Sequence, residues 1–419
     1  MPGTGKKHRI LTSGQLFLSV LILFMLPVWE AQGAGFTAKT SFSVQEQYND
    51  NIFLTDKDRT TDYITRALPS LALDYKAPLW NWDLSYTLDY RHYLDHSVAD
   101  NFAHDLNFHN STELVKKSLF IDVSDTYTKA SLSLLRDYTQ VSLFVNQSDR
   151  NAFTVTPHFT LRPSSSTTVD TGYTYQNIWY KSSAGVKKTD NIVYTNATVE
   201  MSPLLEFTAG GQYLMDQNNI QDYSKLNFYA GPKYTYSPDS YFFFKFGNSL
   251  YDFRRSGSDD EWSWDAGINH EFATFSASLE ASSQDIDNPS DIISKIDTYT
   301  ASLASKGSVT PCSVAVTYSE YSDLSTQKLT DRTYGLTGTI SRSFTEMFTG
   351  AANLTVKRIE DKLAGSHSNL LISGLNFSYA MSPKASLTFN YQFAYSHSPV
   401  IITDRYLNNQ VMAGISITL

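Results

Sequence analysis

The sequence predicts an all-β chain whose strands close into one antiparallel transmembrane β-barrel. Three observations favour this fold class. Aromatic residues make up 14% of the 419 residues, although only 41% of the residues are hydrophobic. Long segments alternate between apolar and polar residues, and short connections alternate with longer polar ones. A membrane barrel needs these features, because its strands are apolar toward lipid and polar toward the lumen, with aromatic residues at both interfaces.

Alternation of period two is clearest in residues 80–91. The even positions of this segment are all aromatic or leucine, and the odd positions are all polar. Segments 226–236 and 386–395 repeat the pattern. These strands are longer than the five or six residues usual in soluble sheets, and their polar faces carry repeated charges. We therefore expect the apolar face to contact lipid; a soluble all-β fold is the alternative.

The connections between these segments predict the number of strands. Several short ones contain proline, as at Arg162-Pro163, Ser202-Pro203 and Ser237-Pro238, where proline stops ladder pairing. Longer polar links lie between them, and the longest, residues 130–149, is a candidate to fold inward as a constriction. Short periplasmic turns and longer extracellular loops are typical of outer-membrane barrels. The pattern predicts about 20 strands, with 18 or 22 as the next choices.

The first 33 residues have the pattern of a secretory signal peptide. Three basic residues precede an apolar run at residues 16–28, and small residues follow up to Gly33. We expect cleavage after Gly33, which leaves residues 34–419 as a single barrel domain. An uncleaved helical anchor is the alternative, although the apolar run is short for a membrane span. Removing residues 1–33 takes away three basic and one acidic residue, so the net charge changes from −9 to −11.

The chain ends on an alternating apolar strand that contains Ile415, Ile417 and Leu419. Such an ending resembles the signal by which outer-membrane barrels are recognised by their assembly machinery, although that signal usually ends in Phe. We expect this strand to pair with the first one, near residues 36–48. An unpaired edge in lipid would leave backbone groups without hydrogen-bond partners.

A distinctive stretch follows the first expected strand. Its central residues are Tyr48, Asn49, Asp50, Asn51, Ile52 and Phe53. Together with its neighbours in residues 42–75, this stretch resembles the opening hairpin of the outer-membrane β-barrel porin 2 family. That family includes barrels associated with exopolysaccharide and exosortase (PEP-CTERM) systems. The resemblance implies a porin-like outer-membrane protein that serves polysaccharide export, and it implies no particular substrate.

The Asn-Asp-Asn run of this stretch has a simple structural interpretation. Asn and Asp tolerate left-handed backbone conformations and cap their own turns, so the run is expected to lead the first strand into a loop. The alternative is a cation or glycan contact made by the acidic residues Asp50, Asp56, Asp58 and Asp62.

Charged residues on the polar faces are the candidates for function. The expected pore-lining residues are Asp83, Asp89, Arg91, Asp122, Asp170, Lys233, Asp265 and Lys357. Charges on a lumen wall set the ion preference of a pore through the local field. The negative charge of the mature chain is compatible with a mild cation preference. For each of these residues, the alternative is a solvated or ion-paired wall residue.

The sequence contains no catalytic motif that we recognise, and it predicts neither a metal site nor a cofactor. Four histidines, at positions 92, 96, 104 and 109, surround one expected loop, but their spacing does not define a metal site. The lone Cys312 excludes an internal disulfide, and no basic patch predicts nucleic-acid binding.

We therefore expect a non-enzymatic outer-membrane pore for small solutes or exopolysaccharide, in contact with outer-membrane lipid and lipopolysaccharide. A non-transporting scaffold of the exopolysaccharide machinery and a barrel enzyme are the alternatives.

The expected location can be tested by cell fractionation. The mature protein should be recovered with outer membranes and should migrate differently on gels before and after heating, because a folded barrel resists detergent. Recovery in the soluble periplasm would contradict the barrel prediction.

Overall fold

The computed structural model describes residues 35–254, 257–289, 293–307, 309–324, 326–401 and 404–419. The expected signal peptide, residues 1–33, lies outside this part of the chain. None of the described helices is long and apolar enough to cross a membrane. The described strands are β1 (Gly35–Asn49), β2 (Asp62–Lys76), β3 (Trp80–Tyr93), β4 (Asn101–Val115), β5 (Leu119–Ser131), β6 (Gln147–Ser164), β7 (Thr167–Tyr180), β8 (Lys188–Ser202), β9 (Leu205–Asn218), β10 (Tyr223–Ser237), β11 (Ser240–Phe253), β12 (Gly257–Glu271), β13 (Phe275–Asp287), β14 (Ile293–Ser305), β15 (Cys312–Asp323), β16 (Leu329–Ser343), β17 (Phe348–Asp361), β18 (Ser366–Ser382), β19 (Ala385–His397) and β20 (Tyr406–Thr418).

These strands form one closed antiparallel sheet of 20 strands. Each strand pairs with its neighbours in sequence, and β1 also pairs with β20, from Ser41–Thr418 to Asn49–Gln410. The predicted all-β barrel of about 20 strands is therefore confirmed, together with the pairing of the last strand with the first. Closure joins the two ends of the sheet, as a barrel in lipid requires.

The two faces of the strands differ as the alternation predicts. Outward-facing aromatic side chains such as Trp80 and Phe228 are 48% and 51% exposed. The inner face is identified by hydrogen bonds across the lumen, such as the one from Lys357 Nζ to the Leu135 carbonyl at 2.6 Å. In β3 the aromatic and leucine residues lie on the outer face, and the polar residues between them line the lumen.

Connection lengths also follow the prediction. The end of the barrel at which β1 begins and β20 ends has short turns, and prolines stand in several of them, as at Pro203 and Pro238. The other end has longer loops, of which residues 132–146 form the longest within one connection. Arg162-Pro163 differs slightly from the prediction, because it forms the end of β6, where the register with β7 shifts, and the turn comes two residues later.

Two hairpins leave the barrel wall near the long-loop end. The β12–β13 ladder runs only from Trp264–Ser283 to Glu271–Ser276, so the first part of β12 is not paired with β13. The β4–β5 ladder likewise begins at Leu106–Tyr127 and leaves the start of β4 unpaired on that side. The β5–β6 and β13–β14 ladders continue past the points at which pairing with β4 and β12 stops. Because β4 and β12 no longer hold the ends of these two hairpins, the ends bend into the lumen.

The assignment of faces predicts unequal effects of one substitution at neighbouring positions. Leu84→Arg should destabilise the barrel by about 2–4 kcal/mol, because it places a cation in the lipid midplane. Ser85→Arg is the matched control, since Ser85 is exposed to the lumen. Urea unfolding in lipid vesicles measures both, and equal costs would contradict the assignment.

Candidate functional site

Residues 132–146, hereafter the constriction loop, connect β5 to β6 and are shaped by local hydrogen bonds. The Ser131 hydroxyl accepts from the Ser133 amide at 3.2 Å and donates to the Arg136 carbonyl at 2.7 Å. Asp137 then caps one turn of 3₁₀ helix, Tyr138–Gln140, by accepting from the Thr139 amide at 3.1 Å. Ser and Asp favour such turns because their side chains replace missing backbone partners.

Side chains from distant strands hold the backbone of the constriction loop inside the lumen. Lys357 of β17 donates to the Leu135 carbonyl at 2.6 Å. Gln392 of β19 donates to the Gln140 carbonyl at 2.7 Å, and Gln410 of β20 donates to the Val141 carbonyl at 2.6 Å. These donors satisfy loop carbonyls that would otherwise lack partners in the barrel interior.

A buried ion pair adds a charged anchor. The Arg136 guanidinium contacts the carboxylate of Asp404 and donates to the Ser368 hydroxyl at 2.7 Å. Ser368 in turn donates to Asp404 at 2.7 Å, so the carboxylate accepts from both groups. Asp404 is only 4% exposed. Removing one partner of such a pair typically costs about 3–5 kcal/mol, because it leaves a buried charge uncompensated.

Apolar packing completes the attachment of the constriction loop. Tyr138 and Val141 of the loop are buried in a cluster with residues of β18, β19, β20 and the β1–β2 connection. The members are Leu54, Tyr138, Val141, Leu370, Ile372, Ala394 and Tyr406. The loop is therefore packed like a core element, and the expectation that link 130–149 turns inward agrees with these contacts.

The end of the β13–β14 hairpin also bends into the lumen. Asp285 of β13 pairs with Lys225 of β10 at 2.5 Å, and Lys295 of β14 pairs with Glu261 of β12 at 2.6 Å. Ile293 packs in a buried cluster with aromatic residues of β10 and β11. The hairpin end thus covers the inner face of the adjacent wall, and the lumen is narrowed from two sides near the long-loop end.

Two arginines and one carboxylate meet on the wall that faces the constriction loop. Arg66 of β2 donates to both oxygens of Asp89, from Nε at 3.0 Å and from Nη2 at 2.7 Å. Arg91 donates to the same carboxylate from Nε at 2.8 Å. Asp89 and Arg91 are 7% and 6% exposed. Asp89 is therefore ion-paired and does not present a free negative charge.

The eight expected pore-lining residues all lie on the inner faces of their strands, but they do not form one site. Asp89, Arg91 and Lys357 lie at the constriction and are engaged there. Asp83, by contrast, is exposed in the part of the lumen nearer the short turns. Lys233 lies 4.6 Å from the centre of the Tyr241 ring. Whether any of them acts on a permeating solute remains a prediction.

Asp122 and Asp170 are joined by a residue that the sequence reasoning missed. The ring nitrogens of His158 lie 2.9 Å from Asp170 Oδ1 and 3.1 Å from Asp122 Oδ2. The three residues come from β5, β6 and β7. Arg66 and Asp404 were missed as well. A single sequence carries little signal for them, because their partners are far away along the chain.

The stretch that resembles the porin 2 family lies where the barrel closes. Both carboxylate oxygens of Asp50 accept from Asn409, from its amide and from its side chain, each at 2.7 Å. Asn51 donates to the Thr55 carbonyl at 2.7 Å and to the Leu407 carbonyl at 3.0 Å. These bonds support the interpretation as a structural turn, since they fasten the end of β1 to β20.

The remaining acidic and histidine candidates do not converge on a ligand. Asp62 is buried and accepts from the backbone amides of Asp95 and Ser97 at 3.0 and 3.2 Å. His92 pairs with Asp100, whereas His104 contacts the Tyr86 hydroxyl. Among the residues that the structure describes, no group of three or more His, Cys, Asp or Glu side chains is arranged to hold a metal ion.

Comparison with known proteins gives matches at the level of fold. No family model and no curated protein sequence matches the chain. Solved outer-membrane proteins do match in structure. The siderophore receptor PirA from Pseudomonas aeruginosa superposes with a TM-score of 0.52 at 11% identity, over 91% of this chain and 80% of that one. The copper transporter OprC gives a TM-score of 0.54 at 8% identity, over 93% and 82%.

The barrel fold matches that of Gram-negative outer-membrane proteins. The FrpB iron transporter from Neisseria meningitidis gives the same result, with a TM-score of 0.53 at 6% identity over 91% of this chain and 81% of that one. At these identities the likeness concerns the fold and carries no substrate to this chain.

The anchoring of the constriction loop can be tested at Asp404. Asp404→Asn should increase amide hydrogen exchange in residues 136–142 severalfold, because Arg136 loses its charged partner. Asp58→Asn is the matched control, since Asp58 is exposed in the β1–β2 connection. Exchange measured by mass spectrometry on the folded barrel should leave the control unchanged. Equal protection in both variants would show that the ion pair does not hold the loop.

Proposed function

We propose that this protein is an outer-membrane pore for small hydrophilic solutes, and that the constriction loop sets its width. The observation that carries the proposal is the position of this loop inside the lumen, held by side chains of β17, β19 and β20. A barrel with this many strands has an interior wide enough for water unless loops fill it.

The spaces beside the constriction loop fit small solutes. A cavity of about 340 Å³ lies between the loop, the β13–β14 hairpin end and β15–β16. A second cavity, of about 310 Å³, lies between the loop and the wall that carries Arg66 and Arg91. Pockets of roughly 300–1,000 Å³ accommodate small organic molecules. A route through such spaces selects by size, and the polar walls favour hydrophilic solutes.

Location and partners form part of the same proposal. The barrel fold, the terminal strand and the expected signal peptide support insertion into the outer membrane, in contact with lipid and lipopolysaccharide. The barrel assembly machinery would then recognise the strand β20. A link to exopolysaccharide export is supported by the resemblance of residues 42–75 alone, and a polysaccharide chain would require the constriction loop to move aside.

A non-transporting scaffold is the second candidate. It is favoured by the number of contacts that hold the constriction loop and by the hairpin end that fills the lumen from the other side. A barrel closed in this way would present its loops to partners and conduct nothing.

Conductance in planar bilayers separates the two candidates. We expect the purified protein to form channels. Replacing residues 134–144 by a short Gly-Ser linker should raise the single-channel conductance severalfold, because it widens the narrowest part of the lumen. The control replaces the exposed residues 56–59 by a linker of equal length. A protein that stays silent before and after removal of the loop would favour the scaffold.

A further inference from the structure

We propose that Arg66 and Arg91 form a binding site for small oxyanions, carboxylate or phosphate, beside the constriction loop. A consequence for transport, which rests on the proposed pore, is that anions pass in preference to cations. The binding site itself does not depend on conduction.

The first argument is the charge balance of the cluster. Asp89 accepts hydrogen bonds from both guanidinium groups, with the closest Arg91 contact at 2.6 Å and the closest Arg66 contact at 2.7 Å. One carboxylate cancels one guanidinium charge, so an excess of one positive charge remains. Both arginine side chains are largely buried, at 17% and 7% exposure. A buried charge without a counter-charge is unfavourable, and a bound anion would supply it.

The second argument is the cavity that these arginines line. Its volume is about 310 Å³, and its other walls come from the constriction loop and from amide side chains such as Gln47 and Gln392. No Asp or Glu is among the described residues that line it. Nη1 of Arg66 lies 3.9 Å from the sulfur of Met412, which is a weak acceptor. A guanidinium group matches the paired oxygens of a carboxylate or phosphate, and the volume suits an anion of a few heavy atoms.

The third argument is that the positive excess lies on the wall of Arg66 and Arg91. On the far side of the constriction loop Arg136 pairs with Asp404, and Lys357 is accompanied by Asp331, a carboxylate that lines the cavity there. The local balance beside Arg66 and Arg91 is opposite in sign to the net charge of the whole chain, −9. Ion preference depends on the field at the constriction, so the local balance should decide it.

Calorimetric titration of the purified full-length barrel in detergent, with sodium succinate or inorganic phosphate, tests the site directly. We expect saturable binding of at least one of them. Arg91→Gln should weaken it about tenfold, because a charge-assisted hydrogen bond is lost while Asp89 keeps Arg66 as its partner. Arg91→Lys should recover part of the affinity, since it restores the charge without the planar fork. Preference for succinate or phosphate identifies which oxyanion fits.

A second variant tests the charge balance without removing an arginine. Asn390→Asp adds a carboxylate to the wall of the same cavity with little change in volume. We expect it to weaken anion binding as much as Arg91→Gln does. Lys39→Gln is the control, because it removes an exposed cation from the other end of β1. Wild-type affinity in Arg91→Gln and Asn390→Asp would overturn the site, as would the absence of binding to the wild-type protein.

Reversal potentials in a KCl gradient separate this inference from the proposed pore. An anion-selective current whose selectivity shifts toward cations in Arg91→Gln and Asn390→Asp supports both the proposed pore and the inferred anion preference. A cation-selective current that ignores the variants keeps the pore and overturns the inference about transport. Saturable anion binding without any conductance rejects the pore and keeps the site.

Discussion

The rest of the structure depends on one requirement, that the backbone groups of a sheet in lipid find partners within the sheet. Pairing of β1 with β20 meets this requirement, and Asp50 and Asn409 fasten the end of that seam. Closing 20 strands encloses a wide lumen. Such a lumen holds water wherever loops do not enter it. At the long-loop end, the constriction loop and the β13–β14 hairpin end enter it.

The lumen is narrowed by elements that leave the wall. The β4–β5 and β12–β13 ladders both stop short, and the hairpins that follow them bend inward. Two ion pairs hold these elements inside the lumen. Asp404 holds the constriction loop through Arg136, and Lys225 holds the other hairpin through Asp285. A buried pair of this kind contributes little net stability but strongly disfavours arrangements in which either partner is left alone.

Much of the fold could be predicted because successive side chains of a transmembrane strand point alternately to lipid and to the lumen, so that apolar and polar residues alternate in the sequence. Trp80 and Leu84 lie on the outer face while Asp83 and Ser85 face the lumen, so neighbouring residues have side chains suited to opposite environments. The lengths of the connections added the strand number and the positions of the turns. The same alternation placed all eight candidate charges on the inner face. It could not say which of them are free, because Asp89 differs from Asp83 only in the arginines that surround it.

The sequence by itself determined the barrel, its strand count to within one hairpin, the two faces of the clearly alternating strands and the longest loop. Tertiary structure alone decided where that loop lies and which charges are cancelled. Arg136 and Asp404 are 268 positions apart, and Arg66 meets Asp89 only through the register of β2 and β3. Periodicity is a property of consecutive residues, whereas charge pairing depends on distances across a closed lumen. For this reason the total charge of the chain is negative while the wall beside its constriction is positive.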